Sequence, residues 1–144
     1  MHRFLVTVLM IVSSTSLCAA DGPGFDRHFT AKALRVDLFH TGTADEEVFS
    51  LDELIEEPYW AGNPNSLIDT LNLGGYLVRV FDLKTNTVIF SRGYCTLFGE
   101  WATTDEAIGG FARTFHESII LPFPKQPVQI RIDRRDRWNI FRNI

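Results

Sequence analysis

Cysteine is almost missing from this 144-residue chain, which has two, Cys18 and Cys95. Only Cys95 lies beyond the first twenty residues. The body of the chain therefore forms no internal disulfide and must be held together by its core. Histidine is scarce as well, four in all, and His28, His40 and His116 have no His or Cys partner at metal-ligand spacing. Positive charge is not in excess: 14 Lys and Arg face 18 Asp and Glu, a formal net charge of −4. That balance argues against nucleic acid as a partner, because phosphate binding is driven by clustered Lys and Arg. No apolar run is long enough to span a bilayer. Repeats, low-complexity segments and internal linkers are absent too, which leaves one modest domain. What the chain does have is apolar bulk, with 45% hydrophobic residues and twelve phenylalanines, enough for a core at this size.

The first twenty residues, "MHRFLVTVLMIVSSTSLCAA", have a basic start at His2 and Arg3, an apolar run over 4–12 and a small-residue end. These are the features of a secretory signal peptide. Cleavage after Ala20 puts Cys18 and Ala20 where the signal peptidase requires small side chains. It leaves residues 21–144 as an exported domain, periplasmic or extracellular, with no membrane span. A membrane anchor is disfavoured by the short apolar run, and a lipid on Cys18 by the bulk of Leu17 before it.

Period-two patterning dominates the remainder. In "LRVDLFH" (34–40), Leu34, Val36 and Leu38 alternate with Arg35 and Asp37, which marks a half-buried strand. "YLVRVFDL" (76–83), the turn-forming "DLKTNT" and "VIFSRGY" read as a hairpin over 76–94. "VQIRID" (128–133) places Val128, Ile130 and Ile132 inward and Gln129, Arg131 and Asp133 outward, and "EVFSL" (47–51) is a further short strand. "SLDELIEEP" (50–58) has a capping-box spacing and allows a helical turn before Pro58. "TTDEA" (103–107) carries the same signal, with Gly109 and Gly110 to end any helix. The expected fold is all-β, a sandwich of short antiparallel strands with one or two short helical turns.

"FHESII" (115–120) begins like a zinc-peptidase HExxH helix but has Ile120 in place of the second histidine. The segment 111–124 suits a strand better than a helix, and a strand places His116 and Glu117 on opposite faces. The pair therefore cannot share a metal. No serine has a nucleophile-elbow context. Cys95, in a strand-like run beside Tyr94, reads as a small hydrophobe rather than a reactive thiol. The neighbouring acids Glu56 and Glu57, and Asp52 and Glu53, form neither a calcium loop nor a glycosidase pair. No catalytic, cofactor-binding or metal residue is assigned, and no cofactor is expected. Two clusters remain, "EEPYWAGN" (56–63) and "FGEWATTDE" (98–106), each with a Trp beside acids. Their residues Glu56, Glu57, Tyr59, Trp60, Glu100 and Trp101 either anchor loops on the core or form an exposed patch that docks a protein or glycan.

The ordered series "FDRHFTAKALRVDLFHTG", "SLDELIEEPYWAGNPNSLID", "YLVRVFDLKTNTVIFSRGY", "LFGEWATTDEA" and "FPKQPVQIRIDRRD" resembles the N-terminal domain of the IgA-peptidase family of secreted bacterial zinc metallopeptidases. The resemblance covers nearly all of 25–138. It implies a β-rich domain followed by a catalytic zinc domain, which would be its partner. The family's HExxH helix belongs to that second domain, and no segment here matches it. The expected role is that of a non-catalytic domain that packs on the peptidase domain or delivers substrate to it. The alternative is a free-standing binding module that uses the Trp60 and Trp101 loops.

Overall fold

The computed structural model describes residues 24–144; the expected leader, its cleavage point and Cys18 lie outside the described residues. Seven strands run in chain order: β1 (Phe29–Gly42), β2 (Glu47–Glu57), β3 (Tyr76–Asp82), β4 (Val88–Tyr94), β5 (Arg113–Pro124), β6 (Val128–Arg135) and β7 (Phe141–Asn143). Three single-turn helices accompany them: α1 (Phe25–His28), α2 (Leu97–Trp101) and α3 (Asp105–Ile108). The strands form two antiparallel sheets, ordered β2-β1-β5 and β4-β3-β6-β7. This is the expected all-β sandwich.

The alternation in sequence sets which side chains meet. Val36 and Leu38 of β1 and Ile119 and Leu121 of β5 face inward and close on Val78, Val80, Ile89 and Phe90 of the second sheet. Burying each such side chain contributes roughly 1.5–3 kcal/mol, and with no disulfide among the described residues this burial holds their fold. The β3–β4 hairpin turns where its sequence is rich in turn formers. Asp82 accepts from the backbone N–H groups of Lys84 and Thr85, while Asn86 takes a left-handed φ of 54°. Two threonines cap the short helices: Thr96 Oγ1 accepts from Gly99 N–H at 2.8 Å, and Thr104 Oγ1 from Ala107 N–H at 3.4 Å.

Several expectations need correction. Residues 50–57 do not turn helically; they continue β2 along β1, with Asp52 bulged out of register opposite Asp37 and Leu38. Pairing with a long neighbouring strand outweighs a capping signal worth about 1 kcal/mol. Cys95 lies past the end of β4 and is exposed, so it is not a core hydrophobe. Asp133 has the outward phase expected of it yet is fully buried, because Arg79 (2.6 Å) and Arg131 (2.8 Å) close over its carboxylate. Asp37 is covered similarly by Arg35 and by the Ser118 hydroxyl, which donates to it at 2.6 Å. The Ser118 hydrogen bond, against the opposing effect of burial and with help from the Arg35 charge, holds the Asp37 carboxyl below its ordinary pKa.

Candidate functional site

The two tryptophan clusters sit at opposite ends of β1. At the Phe29 end, the chain leaving β2 folds Trp60 into the main core, where it is 6% exposed. Its ring stacks on Phe25 (centroids 5.3 Å apart, planes at 11°) and meets the edge of Phe90. Its backbone N–H donates to Ala31 C=O at 2.9 Å. Gly62 passes so close beneath the indole that a Cβ there would lie 2.2 Å from the ring. Tyr59, by contrast, is 71% exposed, at the rim of a cleft of about 720 Å³ that Phe25 and Trp60 also line. Glu56 is paired with Lys32, and Glu57 with Arg35 at 2.7 Å.

At the Gly42 end, Trp101 is 9% exposed and forms a second cluster with Phe98 and Ala107. Phe115 of β5 lies against both rings. The indole N–H donates to Glu106 Oε2 at 3.2 Å. That hydrogen bond and Arg113, 2.9 Å from the same carboxylate, hold Glu106 below its ordinary pKa. Glu100 is exposed on α2. The two clusters are therefore not brought together, and both indoles are largely buried.

Beside the Trp101 cluster, at the same end of β1, lies a group that the sequence did not reveal. The His40 imidazole is completely buried, stacked between the rings of Phe49 and Phe98 at 3.9 and 3.8 Å. Its Nε2 lies 2.9 Å from Glu47 Oε2 and its Nδ1 3.3 Å from Glu117 Oε2. Both carboxylates accept when both ring nitrogens carry protons, the imidazolium form. Burial opposes that charge, but the hydrogen bonds and charges of Glu117 and Glu47 outweigh it and raise the pKa above its ordinary value. Glu47 in turn is desolvated, yet His40, Tyr76 and Arg134 lower its pKa. The Tyr76 hydroxyl donates to Glu47 at 2.7 Å. Arg134 makes an ion-pair contact at 3.1 Å with Oε1, which no directed hydrogen bond reaches. Tyr94 OH is also buried without a partner, and burial raises its pKa. The group ties β1, β2 and β5 of one sheet to β3 and β6 of the other. With the ring capped on both faces, no substrate reaches it, so its work is structural.

His116 and Glu117 face apart, as the strand phase requires. His116 is exposed, 3.2 Å from Asp52, whereas Glu117 points inward to His40. This pair does not fit a zinc ion. Among the described residues, no group of three or more His, Cys, Asp or Glu side chains could hold a metal ion, and no helix is long and apolar enough to cross a membrane.

The family sequence pattern described as peptidase M64 N-terminus matches residues 24–144, every strand of both sheets. The chain belongs to the peptidase M64 N-terminal family. M64 is the IgA-peptidase family, so the resemblance seen in the sequence is correct. The domain is the N-terminal part of a peptidase family and not itself the catalytic domain. No curated protein matches the chain. The short strings that carried the M64 resemblance fall at packing points. Gly42 of "HTG" lies where a Cβ would meet Glu46 C=O at 2.0 Å, and "EEPYWAG" supplies both Trp60 and the Gly62 beneath it. "FGEW" supplies Phe98, the lid on His40, and Trp101 behind it.

Proposed function

We propose that this chain is the non-catalytic N-terminal domain of an exported M64-type zinc peptidase, packing against the peptidase portion or presenting protein substrate to it. The observation that carries this reading is the extent of the family match, which spans the whole sandwich from α1 to β7. Export is supported by the basic start, short apolar run and small-residue end of residues 1–20. The acidic balance of the chain agrees with a protein partner rather than nucleic acid. A second reading, a free-standing exported module for glycan or protein, draws on the exposed Tyr59 ring at the rim of its cleft.

The test is to supply the peptidase portion of an M64-family chain to this domain and follow association, thermal unfolding and protein hydrolysis. Association with a raised unfolding midpoint of either part, and hydrolysis only when the peptidase portion is present, is the expected result. Proteolysis by this domain alone would overturn the reading, as would failure to associate. Saturable glycan binding lost on Tyr59→Ala would favour the second reading.

A further inference from the structure

The sandwich is open along the side where β2 faces β6 and β7. Leu51 and Leu54 stand on the inward face of β2, opposite the buried Leu38 and Val36 in register. They remain 60% and 55% exposed, because nothing of the second sheet lies over them. Across from them the half-buried Val128, Ile130 and Ile132 of β6 complete an apolar groove of about 470 Å³, into which Ile144 reaches from the end of β7. Inward-facing leucines left uncovered on an edge strand are the kind of surface that proteins otherwise blunt or cover.

Among the described residues, β7 covers only one end of β6. It pairs with β6 only from Asp133 to Arg135, whereas β3 pairs with β6 along its whole length from Val128 to Arg134. The outer edge of β6 from Val128 to Arg131 has no strand partner among the described residues. The register is already set to continue, since Ile144 N–H approaches Ile132 C=O at 3.5 Å. By the alternation of an antiparallel ladder, the next backbone groups facing that edge belong to Ile130 and Val128. A strand laid there would turn its alternate side chains inward, over Leu51 and Leu54.

We infer that this groove is the joint with the peptidase portion: an extended segment of that portion lengthens β7 along β6, with apolar side chains at alternate positions filling the space above Leu51 and Leu54. The inference rests on the proposed role as the N-terminal domain of a peptidase and names the surface that the role uses. The occupant is a strand rather than a helix because the free edge offers main-chain hydrogen bonds in register. It leaves from β7 because Ile144 already lines the groove.

Amide exchange by NMR tests this on two polypeptides: the present chain alone, and the same chain joined at residue 144 to the peptidase portion of an M64-family member. The Ile130 amide should exchange at least about tenfold more slowly in the joined protein. Leu54→Lys, at an exposed position, should restore fast exchange there while the Val80 amide of β3 stays protected, which shows that the fold is intact. If both parts unfold as one unit but Ile130 still exchanges fast, the joint lies elsewhere; the inference fails and the proposed function stands. If the two parts unfold independently with Ile130 unprotected, both fail. A present chain that dimerises on its own with Ile130 protected would assign the groove to a second copy and overturn the inference.

Discussion

The two tryptophan loops look alike in sequence, each a Trp among acids and small residues, but they do different work in the fold. Trp60 is packed by Phe25 and Phe90 within the main core and also lines the cleft that Tyr59 rims. Trp101 belongs to a small satellite cluster, donates a hydrogen bond to Glu106 and backs Phe98, the ring that lies flat on the buried His40. One end of β1 is thus held by shape and burial. The other is held by aromatic rings that seal a charged group from water. Composition alone does not tell a core Trp from a Trp that shields a buried ion pair, since both bury a large ring beside polar neighbours.

That difference should be visible on truncation. Trp60→Ala leaves a cavity in the main core and is expected to cost about 3–5 kcal/mol, much of the roughly 5–15 kcal/mol available to a small domain. Urea unfolding should show a large fall in midpoint, or a domain too unstable to purify. Trp101→Ala is expected to cost about 3 kcal/mol, the low end of the same range, because the satellite cluster can collapse around the smaller side chain. Equal losses, or a larger loss at Trp101, would break the contrast between the two ends.

The charged end should also respond to pH, whereas the apolar end should not. The His40 pKa is raised from 6.5, so its contribution to stability is fully present below that value and is lost as pH rises through the higher folded value. The Glu47 pKa is lowered from 4.5, so its contribution is present above 4.5 and is lost as pH falls through the lower folded value. Stability should therefore be highest in mildly acidic solution and decline toward alkaline pH. Glu117→Gln removes one of the two carboxylates that favour the imidazolium, and it should flatten the alkaline decline in Tm. An unchanged slope would mean that His40 is not charged in the fold. This is the smallest of the three effects, and it reads the Trp101 end alone.

Much of the sandwich is legible in the sequence because a two-residue period is a local signal. Leu34, Val36 and Leu38, or Val128, Ile130 and Ile132, declare their inward face without reference to any other strand. A local pattern misleads where a distant partner decides. Ser50 and Glu53 have the spacing of a helix cap, but β1 takes that stretch as a strand. Asp133 reads as a solvated residue until Arg79, from another strand, is brought over it. The His40 group was not legible, because Glu117 is 77 positions away and no fixed spacing marks an imidazole between two carboxylates. The burial of Asp37 and Asp133 has the same origin. The open groove is also a property of sheet order, since Leu51 and Leu54 look like ordinary core residues until β2 is seen to lie at the edge of its sheet.

The central claim is that Trp60 and Trp101 are interior props and not a recognition surface, and tryptophan fluorescence tests it most directly. The chain has three tryptophans, and Trp138 is the exposed one. In the folded Trp138→Phe protein, emission from Trp60 and Trp101 should be blue-shifted and poorly quenched by acrylamide, and it should become red-shifted and readily quenched only on unfolding in urea. Red-shifted, strongly quenched emission from the folded variant would place at least one of the two indoles at the surface and contradict the claim.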